Sequence, residues 1–336
     1  MSLLPGGRPA RYLTLATLVL ALIAPFATGN LYLLNLLVLM LIFIIFSSSW
    51  NLLAISGQGS LGHAAFFGIG GYASTIIAVT LGLSPLLTLP MGAAVAAVVG
   101  VLIGLTCVRL KEWFLAMVTF GFAIITQTLV VSVLAPITGG WDGLASPRLL
   151  SPDIPGYSFI EYYIILGIAI ATILAIHLIM RSRVGLAFSA IRENETEARA
   201  SGVNPVKYRL IGFAASAFLA GIAGALEIHH FGYVTPEIFG IDISFWPIIY
   251  SIFGGLGTVA GPVIGTVILS FVWEGLKNLG LTFQRYILIG LLLILVVIFL
   301  PRGLVSLPEE FRKWREGKRK KVAEPGATLE GRSLVR

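Results

Sequence analysis

The sequence predicts an all-α, polytopic bundle of membrane-spanning helices. Of its 336 residues, 57% are hydrophobic and only 12% are charged, and the mean hydropathy is +0.93. A single soluble core does not bury that much apolar surface. Apolar runs of about 20 residues recur along the chain, which is the length a helix needs to cross a bilayer. Cys107 is the single cysteine, so neither an internal disulfide nor a cysteine-based metal site is expected.

Ten segments are apolar enough to be spans. They are residues 12–28, 31–50, 61–81, 87–108, 113–135, 160–180, 209–229, 241–257, 260–276 and 283–300. The first follows Arg8 and Arg11 as a secretory signal would, but nine further segments come after it, so we expect an uncleaved span. In an alternative with eight spans, the eighth and ninth segments form a re-entrant pair.

Lysine and arginine are concentrated in alternate connections. Four regions hold 20 of the 23 cations: the N-terminal tail, the turn 109–112, the loop 181–209 and the tail 301–336. By the positive-inside rule they face the cytoplasm, together with both termini. Residues 1–300 then form one transmembrane domain, and the basic tail is expected to be disordered or to lie on the anionic leaflet. A membrane therefore explains the formal charge of +7 better than nucleic acid does.

Two segments are unusually rich in glycine for membrane spans. NLLAISGQGSLGHAAFFGIGGYAS (51–74) contains six glycines and a small-residue row at Ser60, Ala64 and Gly68. FGGLGTVAGPVIGT (253–266) has a second row, Gly257, Gly261 and Gly265, beside a proline. Small residues allow close helix approach in lipid, whereas interrupted helices mark the substrate route of many transporters. We expect both segments to be broken helices.

Polar side chains separate these two interpretations. Gln58, Ser60 and His63 are costly to expose to lipid. The sequence therefore predicts that they line a translocation pathway, together with Gly68, Gly257 and Gly261. Helix packing is the alternative, and His63 taken alone is typical of a packing histidine.

Two groups stand at the predicted outer face. Glu227, His229 and His230 are followed by Glu237 and Asp242, and such residues bind metals or move protons. Water solvates this boundary, so no metal site is predicted. In TGGWDGLASP, Trp141 and Asp142 are candidates for docking an outer protein, and an ordinary glycine-rich turn is the alternative.

The loop RSRVGLAFSAIRENETEARASGVNPVKYRL (181–210) carries six cations and three anions. Leu186, Ala190, Ile191 and Ala198 recur at helical intervals, which predicts one amphipathic helix ending at Gly202. Asn204 and Pro205 then start the next span. A rigid charged helix between two spans would transmit force from a soluble partner, and a solvated loop helix is the alternative.

No catalytic motif accompanies these features. The chain has no phosphate-binding loop, serine nucleophile elbow or HExxH helix. We therefore expect a non-catalytic chain with no cofactor of its own, and any ATP and Mg²⁺ used are expected to be bound by another subunit.

Several blocks, in order, resemble one known family. They are SGQGSLGHAAFFGIGGYAS, RLKEWFLAMVTFGFAIITQTL, TGGWDGL, SRVGLAFSAIRENETEARASGVNPVKYRLIGFAASAFLAGIAGAL, and GYVTPE with FGGLGTVAGPVIGT. They are similar to the LivM-type permease subunits of ABC importers for branched-chain amino acids, in the LivH/LivM family. The resemblance covers most of residues 50–270.

The resemblance implies a bacterial or archaeal cytoplasmic (inner) membrane and a multi-subunit importer. Its partners would be a second, LivH-like permease or a second copy, two cytoplasmic ATPases, and a periplasmic or extracellular binding protein. It also implies an ATPase-coupling loop, whose candidate residues are Arg192, Glu193, Glu195, Glu197, Ala198, Arg199 and Gly202. The family pattern E-A-A-x-x-x-G places glycine six positions after glutamate, whereas Gly202 lies five after Glu197, so the register stays open.

Three rival functions remain at this point. Urea, amide and other small-solute permeases share these features with amino-acid permeases. An ion-coupled secondary transporter would work alone and should carry carboxylates near mid-span, where this chain has almost none. A membrane enzyme would need a convergent constellation, for which only Glu227 to Asp242 is available.

Overall fold

The computed structural model describes residues 21–26, 30–110 and 112–307, and helices dominate it. In chain order they are α1 (Leu31–Ile55), α2 (His63–Leu81), α3 (Pro85–Cys107), α4 (Glu112–Val131), α5 (Ala135–Thr138), α6 (Tyr157–Arg181), α7 (Arg183–Glu193), α8 (Glu195–Ala200), α9 (Pro205–Phe231), α10 (Ile241–Gly254), α11 (Gly261–Asn278) and α12 (Gln284–Phe299). Single 3₁₀ turns cover Gly140–Asp142, Pro236–Phe239 and Leu304–Ser306, and strands β1 (Leu144–Ala145) and β2 (Tyr233–Val234) pair antiparallel.

Length and composition separate the helices into classes. Within the described ranges, α1 to α4, α6 and α9 are each long and apolar enough to cross a bilayer, and α10 and α12 are shorter apolar helices. The predicted multi-pass helical bundle is confirmed at this level. The predicted first segment, 12–28, lies largely outside the described residues, as does the tail beyond Leu307.

The bundle is built around α9, which packs against α1, α2 and α3. Its buried surface there is made largely of small residues, including Ala217, Ala220 and Gly221. A Cβ added at Gly70 of α2 would overlap the Cα of Gly221, so the two backbones touch. Helices in lipid gain little from apolar burial against each other, and this close approach supplies the van der Waals contact that replaces it.

The glycines of α2 that make this contact are not the predicted row Ser60, Ala64 and Gly68. Ser60 lies in the loop before α2, because α1 ends at Ile55 and α2 begins only at His63. Gly68 faces the ring of Phe239 instead, where a Cβ would overlap the ring. The prediction that Ser60, Ala64 and Gly68 form one row on a helix is therefore wrong. The expectation of an interrupted helix in this segment is confirmed.

The two ends of the bundle differ in composition. We call one the basic end; it holds the α1–α2 loop, the α3–α4 turn, α7, α8 and the α10–α11 turn. The other, which we call the ribbon end, holds β1 and β2. At the basic end, a Cβ on Gly257 would lie 2.7 Å from Nη1 of Arg192. At the far end of α11, Nζ of Lys277 donates to the Tyr32 hydroxyl at 3.2 Å, near the start of α1. The helix α11 thus runs the full distance between the ends.

Candidate functional site

The charged connection between α6 and α9 forms two helices at the basic end, not the single predicted one. Asn194 has an extended backbone and ends α7. Its side chain accepts from the N–H groups of Thr196 and Glu197, at 3.0 and 3.3 Å, and so caps α8. Asparagine is a strong N-cap because its oxygen satisfies amides left free at a helix start. This local competition overrides the continuous helical pattern.

Glu195 holds α8 to the start of α9. Its carboxylate accepts from Nη2 of Arg199 at 2.6 Å and from Nη2 of Arg209 at 2.8 Å. Nη1 of Arg209 also donates to the Val108 carbonyl at 3.1 Å, in the turn after α3. Exposed ion pairs contribute little individually, but the Arg209 side chain is only 16% exposed and its bonds are less screened by water. The three elements are therefore fixed to one another.

Several predicted coupling residues face outward. Arg192, Glu193 and Glu197 are exposed, and Gly202 is exposed with a φ of 83° that suits its role as a helix stop. Ala198 is buried instead and packs into its own bundle. Leu186 was predicted to lie on the apolar face, but it is 69% exposed. Phe188 fills the core at this position and leaves Leu186 on the outer side of α7.

The end of α7 contacts both glycine-rich interruptions. The guanidinium of Arg192 covers Gly257, and the Arg192 backbone lies 3.8 Å from the position of a Cβ on Gly57. Asn51 of α1 binds the second of these interruptions, the α10–α11 turn, from inside the bundle. Its Nδ2 donates to the Thr258 carbonyl at 2.8 Å, and its Oδ1 accepts from the N–H of Gly257 at 3.0 Å. The sequence analysis missed Asn51, although an asparagine within an apolar span is itself an indication of a polar partner.

We expect Asn51→Leu to lower the free energy of unfolding by about 2–4 kcal/mol, because it leaves two backbone groups of the α10–α11 turn unpaired in the core. Asn51 is 1% exposed, so water does not replace the lost bonds. The measurement is thermal unfolding of the purified protein in detergent. Asn278→Leu is the control, since Asn278 lies exposed at the end of α11. Equal melting temperatures for the two variants would contradict this role for Asn51.

His63 lies in a buried polar cluster between α1, α2 and α9. Its Nε2 is 2.9 Å from Oγ of Ser49 and 3.5 Å from Oγ of Ser216, and the Phe46 ring stacks on the imidazole. Ser216 also donates to the Ser49 carbonyl at 2.8 Å. These contacts are those of a packing histidine. The three consecutive serines that precede Trp50 were a sequence indication of this cluster.

The other predicted pathway residues are enclosed by this chain as well. The Ser60 carbonyl accepts from Nε1 of Trp50 at 2.7 Å. Gly261 packs against the backbone of Gly254, where α10 and α11 meet. Gln58 differs from them, since it lines a cavity at the basic end. The structure therefore brings Gln58 and Gly257 to the two turns near Arg192 and places Gly68 deeper, against Phe239.

At the ribbon end, Trp141 and Asp142 lie on the Gly140–Asp142 turn. Both are exposed, Trp141 by 68%. The carbonyl of Asp142 accepts from the Tyr233 hydroxyl, and β1 pairs with β2 beside it. Gly139, Gly140 and Gly143 all have positive φ, as the turn alternative expects. The turn is thus held in place by these contacts and exposes the ring of Trp141.

The histidines of the predicted outer group turn toward different partners. Nδ1 of His229 is 2.7 Å from the Pro147 carbonyl, and its Nε2 is 2.8 Å from Oγ of Ser74. Nδ1 of His230 is 3.0 Å from a carboxylate oxygen of Glu161. Within the part of the chain that the structure describes, no three of His, Cys, Asp and Glu are grouped as metal ligands would be.

Most of the chain is similar in sequence to known transport proteins. The High-affinity branched-chain amino acid transport system permease protein LivM of Salmonella typhimurium is 27% identical over 338 aligned positions including gaps, which cover 91% of this chain and 77% of that protein. The Ribose import permease protein RbsC of Escherichia coli is 27% identical over 62% of this chain and 65% of its own length. LivH of Salmonella typhimurium is 31% identical over 38% of this chain and 41% of its own length.

No solved structure matches the chain. The sequence pattern of one protein family, in contrast, matches residues 32–297, from the start of α1 to the end of α12. This range contains both glycine-rich interruptions, α7, α8 and the strand pair β1–β2. The chain is therefore a member of the family described as Branched-chain amino acid transport system / permease component.

Proposed function

We propose that this chain is the membrane permease subunit of an ATP-driven importer that moves branched-chain amino acids into the cell. A second permease, LivH-like or another copy, would complete the transmembrane part, with two ATPases inside and a binding protein outside. One observation carries the proposal beyond family membership. The pair α7–α8 is exposed on one side and contacts the α1–α2 and α10–α11 interruptions on the other.

We infer that the basic end is cytoplasmic and that the membrane is the inner membrane of a bacterium or archaeon. The connections at this end carry most of the described cations, in agreement with the positive-inside rule. The helices α11 and α12 then each cross the membrane, and the chain from β2 through α10 makes a further crossing, because α10 ends beside Arg192 and Gly303, after α12, packs against Gly255. With segment 12–28 this gives ten spans and two cytoplasmic termini.

Coupling would act through the outer faces of α7 and α8. Leu186, Glu193 and Glu197 offer an ATPase one apolar and two acidic contacts. Ala198 and the Glu195 network hold the pair to the bundle, so a displacement of α7 is passed to Gly57 and Gly257 through Arg192. The ATPases supply ATP binding, Mg²⁺ and hydrolysis, and this chain supplies the moving contact.

Cargo selection would belong mainly to the binding protein, docked at Trp141 and Asp142. Inside the membrane, Gln58, Ser60, His63 and the broken helices would form a weakly binding polar route that opens as the helices separate. The similarity to the ribose permease favours a second candidate cargo class, sugars or other small polar solutes such as urea and amides.

Reconstitution of the complex in vesicles tests the proposal. Leucine uptake is expected to require this chain, its partner permease, both ATPases, ATP and the binding protein. Leaving out any one component is the control for that component. Uptake by this chain alone, driven by a proton or sodium gradient, would refute the importer assignment. If the complete complex took up ribose but not leucine, the cargo assignment would change from branched-chain amino acids to sugars.

A further inference from the structure

A cavity of about 500 Å³ opens at the basic end, between the α1–α2 loop, the α3–α4 turn, α8 and the start of α9. Its lining residues come from four places in the sequence and include Gln58, Arg109, Trp113, Glu195, Arg199 and Arg209. The cavity is large enough for the head group of a lipid or for a small solute.

The lining is strongly electropositive. It contains three guanidinium groups and one carboxylate, that of Glu195. Glu195 is shared by Arg199 and Arg209. No ion pair within the described residues includes Arg109, which is exposed at the rim. An anionic ligand is therefore favoured here over a neutral or cationic one, and Arg is the side chain best suited to phosphate oxygens.

Two buried donors in the lining have no acceptor. Nε2 of Gln58 and Nε of Arg209 are both enclosed and unpaired, and Gln58 is only 2% exposed. Leaving a buried donor unpaired is unfavourable, and more so when it is charged. A ligand that brings several acceptor oxygens removes this cost when these two side chains turn toward it. An oxyanion is therefore the class of ligand that this site would bind best.

The remaining lining is apolar and lies at the membrane boundary. Trp113 is 84% exposed and begins the part of α4 that is apolar enough to span the bilayer. Tryptophan is typical of the interface between lipid and water. Leu110, Leu115 and Val206 continue this surface from the rim. A ligand with an oxyanion and an attached apolar part satisfies both halves of the cavity, whereas free phosphate uses only one.

We propose that this cavity binds the phosphate of an anionic phospholipid from the adjoining leaflet. Arg109, Arg199 and Gln58 contact the phosphate, and Trp113 with Leu110 contacts the glycerol and the first part of the acyl chains. The lipid competes with Glu195 for Arg199, so it links the position of α8 to the composition of the membrane. Basic pockets between spans on the cytoplasmic side are a recurring form of lipid recognition.

The test measures lipid retention by the full-length purified chain, using native mass spectrometry after exchange into mixed phosphatidylglycerol and phosphatidylcholine. We expect selective retention of phosphatidylglycerol, weakened about fivefold by Arg109→Gln and by Gln58→Leu. Arg109→Lys should restore most of it. Arg183→Gln is the matched control, since Arg183 is exposed on α7 at the same end but outside the cavity.

Each alternative ligand gives a different result. Displacement of the lipid by excess inorganic phosphate would show a free-phosphate site and overturn the lipid assignment. Displacement by leucine would show a site for the cargo carboxylate and overturn it as well. Equal losses in Arg109→Gln and Arg183→Gln would show only general surface attraction. Retention does not depend on transport, so the result is independent of the proposed function.

Discussion

Alanine at Gly257 is expected to reduce transport per ATP hydrolysed by about tenfold while the bundle stays folded. The Cβ would lie 2.7 Å from Nη1 of Arg192, so the guanidinium must leave the α10–α11 turn. The far end of an arginine moves at little cost, and folding is therefore spared. The contact through which α7 would move this turn is lost. The measurement is leucine uptake and ATP hydrolysis by the same reconstituted complex.

A matched glycine separates this contact from backbone strain. Gly257 and Gly280 have nearly the same φ, 80° and 78°. Alanine therefore costs about 1–2 kcal/mol of strain at either position. A Cβ on Gly280 meets nothing within 4 Å. We expect Gly280→Ala to transport normally and Arg192→Ala to be as uncoupled as Gly257→Ala. If Gly280→Ala were equally impaired, strain rather than the Arg192 contact would explain the loss.

Alanine at Gly70 is expected to destabilise the protein by about 2–3 kcal/mol. Its Cβ would overlap the Cα of Gly221, and a backbone atom cannot rotate away as a side chain does. The helices α2 and α9 must therefore separate and lose contacts along their length. We expect a fall of about 5 °C in the apparent melting temperature in detergent.

Gly167 provides the comparison for this variant. It lies in α6, is exposed, and a Cβ added there meets nothing within 4 Å. Alanine is the better helix former, so Gly167→Ala should leave the melting temperature unchanged or raise it slightly. An unchanged melting temperature for Gly70→Ala would show that the α2–α9 contact is looser than the structure places it.

The helices and their interruptions follow closely from local sequence. The expected breaks within 51–74 and 253–266 are the loops after Ile55 and after Gly254. The predicted start of α9 is correct as well, because Asn204 accepts from the N–H of Lys207 and Pro205 begins the helix. These features depend on capping and backbone freedom, which are properties of a few neighbouring residues.

The contacts between helices could not be predicted from the local sequence in the same way. The spacing of small residues in α2 indicated close packing but not which glycine makes it, and the neighbours of Gly70 and Gly68 come from α9 and from the loop after β2. The helix break at Asn194 was missed because an asparagine inside a helical pattern can either continue the helix or end it and cap the next one. The burial of Ala198 likewise depends on the position of α9.

The sequence alone determined the class of the molecule, the basic connections that indicate its orientation, and the family blocks, since these depend on composition, spacing and order along the chain. The tertiary structure decided which residues meet: Arg192 on Gly257, Asn51 on the α10–α11 turn, and three arginines around one cavity. The physical reason is distance along the chain. Asn51 and Gly257 lie 206 positions apart, and no local preference encodes a hydrogen bond whose partners are brought together only by packing α1 against α10 and α11.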